Sequence, residues 1–151
     1  MKRLGVVPTV ILVSLLAGAD APKSEAVKRE LAKFRGSWVL TSFETHGQER
    51  AQDEMKKEKL VYVFDGDKLT QKLGDKVLGR ATIKIDPTQS PMTLDVTGTP
   101  EGETKEGTIQ NIYKIDADTL TLAYTPMGFP RATKFIAEGL TMIVKLKRVK
   151  P

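Results

Sequence analysis

The chain has 151 residues, no cysteine, one histidine and a formal net charge of +5. Disulfides, thiolate zinc sites and multi-histidine metal sites within one chain are therefore excluded. The basic balance would suit anionic partners, but the lysines are interleaved with Asp and Glu, which is the pattern of a solvated surface.

Lys2 and Arg3 precede a mostly apolar run from Leu4 to Leu16, and Ala19-Asp20-Ala21 supplies small residues for cleavage after Ala21. The run is shorter than the ~20 residues a comfortable membrane span needs. Residues 1–21 are read as a signal peptide, with an uncleaved anchor as the competing reading. The mature protein is then exported, periplasmic or extracellular, with no stable membrane span, and export argues against nucleic acid as a partner. No cysteine follows the apolar run, so lipoprotein-type acylation is excluded. Leaving Lys2, Arg3 and Asp20 out of the count lowers the net charge from +5 to +4.

Residues 22–35 form an N-terminal segment in which 24–35 is predicted as an amphipathic helix. Ser24 is the expected N-cap, and Val27, Leu31 and Phe34 make one apolar stripe at i, i+4, i+7. Gly36 stops the helix. From Ser37 the period switches to two. Strands are predicted near 37–44, 59–64, 68–73, 77–85, 92–97, 107–115, 119–125 and 140–148, and a second short helix over 51–57. The inward set includes Leu40, Tyr62, Phe64, Ile83, Ile85, Leu94, Val96, Leu120, Leu122, Val144 and Leu146. Their neighbours Lys84, Asp95, Thr121 and Lys145 are expected to face water.

Hairpin chemistry at Asp65-Gly66-Asp67 and Asp116-Ala117-Asp118 joins neighbouring runs. The connections 65–67, 86–91 and 116–118 are short, whereas 45–58, 98–106 and 126–139 are long. In an up-and-down meander the long ones share one end. Residues 36–151 are thus expected to form an all-β, eight-stranded antiparallel up-and-down barrel, with a helix-covered bottom and a loop-rich mouth.

Several stretches carry a family resemblance. They are Gly36-Ser37-Trp38-Val39-Leu40, Lys84-Ile85-Asp86-Pro87, Ile112 through Leu120, Arg131-Ala132-Thr133-Lys134-Phe135 and Leu146-Lys147-Arg148. Gly36-Ser37-Trp38 looks like the Gly-x-Trp opening of lipocalin-like barrels. Over about residues 30–149 the chain resembles a family of small exported lipocalin-like domains of unassigned function, abundant in planctomycete-type bacteria. Two positions depart from its pattern: Arg131-Ala132-Thr133 stands where the family tends to Arg-Pro-Thr, and Gly79-Arg80-Ala81 where it tends to Gly-x-Tyr, so an interior aromatic is missing. The resemblance implies a fold and export, not an activity.

No constellation for chemistry emerges. A Ser-His pair could use only His46, which reads as an exposed loop residue. The aspartates at the hairpin tips lack an apolar wall to separate their pKa values, and phosphate-loop and dinucleotide fingerprints are absent. No catalytic residue, metal ligand or cofactor is assigned, and the chain is read as non-enzymatic. The mouth segment Pro126-Met127-Gly128-Phe129-Pro130-Arg131 is the candidate contact region, with Phe129 and Arg131 as ligand contacts. Phe135 is read as folding back to close the barrel top, and Phe129 could do the same. Tyr62 and Tyr124 fall on interior parity, either flooring a pocket or filling the core. Trp38 and Arg148 are expected to stack where first and last strands meet, resembling the Trp–Arg closure of lipocalins. The functional expectation is a small or extended ligand held at the mouth. The alternative is a module with a packed interior that engages an envelope component. The export reading predicts that N-terminal sequencing of the exported form begins at Pro22; a sequence beginning at Met1 would overturn it.

Overall fold

The computed structural model describes residues 20–50 and 59–151, with side chains from Ser24 onward. Most of the expected signal segment, and the short helix expected over 51–57, lie outside the described residues. The elements are α1 (Asp20–Phe34), β1 (Gly36–Thr45), β2 (Gln48–Arg50), β3 (Leu60–Asp65), β4 (Lys68–Leu73), β5 (Lys76–Asp86), β6 (Met92–Gly98), β7 (Gly107–Asp116), β8 (Thr119–Tyr124) and β9 (Met142–Arg148). Every strand pairing is antiparallel, successive long strands are neighbours, and β9 returns to pair with β1. The result is a closed eight-stranded, lipocalin-like barrel. Closure removes the unpaired edges that an open sheet would expose.

β2 is an addition to the expected set. His46 and Gly47 both take positive φ, 52° and 68°, as a two-residue primed turn requires. Three exposed residues then pair back on the upper half of β1. A bulge between Leu40 and Ser42 lets β1 bend along β9.

The interior follows the predicted parity. Phe64, Ile83, Ile85, Leu94, Leu120, Leu122, Val144 and Leu146 are buried in one cluster, while Leu40, Tyr62 and Val96 are half-buried against it. α1 lies under the bottom of the barrel and sends Phe34 into it. The Phe34 ring meets Tyr113 edge-on at 5.0 Å and Phe64 at 5.3 Å. Val27 and Leu31 pack along the same helix face. The helix begins at Asp20, before Ser24, so Ser24 lies inside α1 rather than capping it.

Expectations for the outward face need correction. Lys84 is exposed, but Asp95 and Lys145 are half-buried and Thr121 is buried. A second apolar cluster on the outside joins Ile112, Ala123 and Ile143 of the wall to Ala132, Ala137 and Phe135 of the segment after β8. That segment lies as a strap across the outer face of β7 to β9. Gly47 N–H donates to the Ala137 carbonyl at 2.7 Å, tying the strap to the β1–β2 turn. Phe135 therefore packs outside the barrel, under the Lys114 ammonium 4.8 Å from its ring centre, and does not close the top.

At the bottom, Trp38 and Arg148 are directly paired across β1 and β9. The guanidinium carbon sits 4.1 Å from the indole ring centre. The indole N–H donates to the Phe34 carbonyl at 2.6 Å, and Arg148 donates to the Lys33 and Arg35 carbonyls at 2.7 and 2.8 Å. These are helix-terminal carbonyls that lack intrahelical partners, at the negative end of the helix dipole. Gly36, with φ at 113°, makes the turn that brings them to the pair. Trp38→Ala should cost about 3–5 kcal/mol, and Arg148→Ala about 1–3 kcal/mol, by urea denaturation. An unchanged midpoint for Trp38→Ala would show that closure does not rest on this residue.

Candidate functional site

Interior bulk is uneven: large side chains crowd the bottom, Phe43 and Tyr124 stand near the top on β1 and β8, and the upper β4–β7 side keeps small residues. Trp38, Phe34, Phe64 and Tyr113 fill the lower half. Between β4, β5, β6 and β7 the upper half is lined by Leu69, Ala81, Val96 and Ile109, with Leu78 at the β5 bulge, around a half-open cavity of about 320 Å³. Three glycines contribute to it: Gly79, Gly98 and Gly107. At Gly79 no heavy atom lies within 4 Å of where a Cβ would stand, so the missing side chain is open space. Ala81, a small residue on the same strand, also lines the cavity. Gly98 is held by crowding instead: a Cβ would come within 2.8 Å of the Arg80 carbonyl oxygen. Such a volume is at the low end of small-molecule pockets, roughly 300–1,000 Å³, and its mostly apolar lining is typical of them.

The polar residues of the lining are Gln71, Arg80, Thr99 and Glu101. Gln71 hydrogen-bonds the Tyr62 hydroxyl, which in turn has Tyr124 as a neighbour. Burial pushes Tyr62 up to about 12, Tyr124 adds to the rise, and the Gln71 bond partly offsets it. Burial also raises Tyr124. Tyr113, at the bottom, is raised by burial and then by the adjacent Glu30 carboxylate. Neutral phenols thus occupy the interior at physiological pH, leaving it without a fixed charge from this source.

The expected contact residues fall in different places. Tyr62 and Tyr124 are interior, packed against the core cluster rather than lining the cavity. Phe129 is half exposed and borders a separate outer groove of about 380 Å³ with Thr108, Gln110, Pro126 and Pro130. Arg131 lies on the outer wall: its guanidinium pairs with Asp95 at 2.7 Å and donates to the Asn111 carbonyl at 2.7 Å. That ion pair anchors the strap and explains why Asp95 is shielded. Met127, part of the expected contact segment but not singled out there as Phe129 and Arg131 were, is the loop residue that reaches the cavity. Its signal was present, since an apolar flexible side chain between Pro126 and Gly128 suits a loop that folds over a gap.

Among the described residues, no group of three His, Asp or Glu side chains is arranged to hold a metal ion, and no helix is long and apolar enough to cross a membrane. His46 occupies the β1–β2 turn, its ring nitrogen 3.0 Å from the Thr45 hydroxyl. No protein-family model matches the chain, and neither the curated proteins nor the solved structures give a match.

The interior tyrosines set an alkaline limit on stability. A phenol whose folded pKa exceeds its unfolded value of 10.0 keeps its proton in the native state while the unfolded chain ionises. Their stabilising effect is complete below pH 10 and is lost as pH rises through the folded values, about 12 for Tyr62. Native protein should therefore show little phenolate absorbance until well above pH 10, with the phenolate signal and unfolding rising together. Full titration of the tyrosines near pH 10 in still-folded protein would contradict the interior placement.

Proposed function

We propose that the protein is an exported, non-enzymatic lipocalin-like binding domain that holds a small apolar molecule in the open half of its barrel. The proposal includes membership of the small exported family it resembles. The observation that carries it is the apolar cavity beneath Met127. An interior evolved only for stability would fill such a space, because unfilled apolar volume forfeits dispersion contacts. Here Gly79 lines it instead, at a strand position where a larger side chain has room. The basic n-region, apolar run and Ala19-Asp20-Ala21 support export. The alternative, an envelope-binding module with a packed interior, gives no account of the open space at Gly79.

Gly79 offers a clean test. Its φ lies outside the left-handed region and its Cβ direction is empty, so Gly79→Leu enters the cavity without backbone strain. Removing a strand glycine favours folding by about 0.5–1 kcal/mol. Native mass spectrometry of protein purified from its own host should show a bound apolar molecule in the wild type. Gly79→Leu should be at least as stable and lose that molecule. Unchanged ligand occupancy in the variant would overturn the cavity as the binding site.

A further inference from the structure

We propose that the outer groove beside Phe129 is the head-group half of the same site. The ligand is then a neutral amphiphile, with its apolar chain in the barrel and a hydroxylated head in the groove. This rests on the cavity being a binding site, and it adds both a second subsite and a ligand class.

Continuity of the two spaces comes first. Met127 lines both the interior cavity and the outer groove. It lies over Gly107, the first residue of β7, where a Cβ would overlap the Met127 sulfur. Gly107 does not have a left-handed φ, so glycine there serves space rather than backbone conformation. Gly107 is paired directly with Gly98 on β6. Two facing glycines lower the rim of the barrel at this point, and the side chain crossing it is an unbranched thioether. Met127 is 48% exposed, and methionine has three rotatable bonds to swing aside. A chain leaving the cavity over this rim enters the groove.

The chemistry of the two halves differs in the way an amphiphile does. Leu69, Val96 and Ile109 give the cavity an aliphatic wall. The groove is lined by Thr108, Gln110 and Phe129, residues that carry a hydroxyl, an amide and an aromatic ring. Thr108 Oγ1 shares a hydrogen bond with Thr97 Oγ1 at 2.8 Å, which leaves it further hydrogen-bonding capacity. Hydroxyls that both donate and accept suit this set, and an aromatic face suits the C–H side of a sugar or polyol. No charged side chain lines the groove among the described residues. The nearest cation in sequence, Arg131, is committed to Asp95 and the Asn111 carbonyl. A carboxylate, phosphate or ammonium head would find no counter-charge in the groove; the charged residues Arg80 and Glu101 line the cavity, and Glu101 is paired with Lys76 at 2.8 Å.

Calorimetric titration of the full chain with four octyl compounds separates the possibilities: 1-octanol, octyl glucoside, octanoate and octyltrimethylammonium. Octyl glucoside should bind at least about tenfold more tightly than octanol, and the two charged compounds more weakly than the glucoside. Gln110→Ala combined with Phe129→Ala should reduce the glucoside to the level of octanol and leave octanol unchanged. Both residues are exposed, so the fold should tolerate the pair. Gly79→Leu should abolish binding of both neutral compounds. Octanol binding that Gly79→Leu removes, with no advantage for the glucoside or no effect of the double variant, overturns the groove and leaves the cavity standing. Tighter binding of either charged compound overturns the neutral head. Absence of binding by all four overturns the cavity reading together with this one.

Discussion

The Trp38–Arg148 pair is the contact on which the rest of the fold hangs. It joins three things that the chain must bring together: its first long strand, its last strand and the end of its helix. The cation–π stack at 4.1 Å adds about 0.5–2 kcal/mol, a modest sum. Its greater effect is geometric. The indole N–H and the two guanidinium nitrogens take three successive carbonyls at the end of α1, so the helix cannot move without breaking barrel closure. Asp118 in the β7–β8 turn adds an ion pair with Arg148 at 3.5 Å and accepts its backbone N–H at 2.8 Å. A distant hairpin is thereby fixed to the same point.

Docking α1 this firmly allows the barrel to be asymmetric. Phe34, Trp38, Phe64 and Tyr113 concentrate bulk at the bottom, where closure already excludes water. The upper β4–β7 side is then free to keep small residues. A closed apolar void of about 320 Å³ made by truncation would cost on the order of 8 kcal/mol. That is comparable with the whole stability of a typical domain, roughly 5–15 kcal/mol. Opening at the rim admits solvent and avoids most of that cost. The strap works in the same direction from outside: it buries Ile112, Ala123 and Ile143, thickening the wall of β7 to β9 with apolar contacts that the hollow interior does not supply.

Much of the architecture was legible in the sequence because alternation is a strong signal when one face is wet. Ile83/Ile85 around the exposed Lys84 set the register of their strand, and a slip by one residue would have exposed that pair. The outer cluster was missed through the same assumption. Ile112-Tyr113, Leu122-Ala123 and Ile143-Val144 are adjacent apolar pairs, which break period two and signal a strand buried on both faces. Read that way, Thr121 becomes a residue beneath a cover rather than one facing water. β2 gave no apolar pattern at all, only the His46-Gly47 turn. The start of α1 at Asp20 escaped because Ser24 offered a plausible cap within the helix.

The candidate site was harder to read for a physical reason: it consists largely of absences. Periodicity reports where apolar side chains are, and a cavity is made where they are small or missing. Gly79, Gly98 and Gly107 look alike in sequence, yet each has a different cause. Gly79 leaves a void, Gly98 permits close approach to the Arg80 carbonyl, and Gly107 yields its place to Met127. Phe129 drew attention as the bulky residue of its loop, but Met127 is the one that crosses the rim, because its flexible chain fits the slot that Gly107 leaves. Any ligand that fills the cavity supplies the dispersion contacts the chain withholds, and so stabilises the native state in proportion to its occupancy. Rigidity at the bottom and ligand-dependent packing between β4 and β7 are thus complementary consequences of placing Phe34, Trp38, Phe64 and Tyr113 at one end and leaving small residues on the upper β4–β7 side.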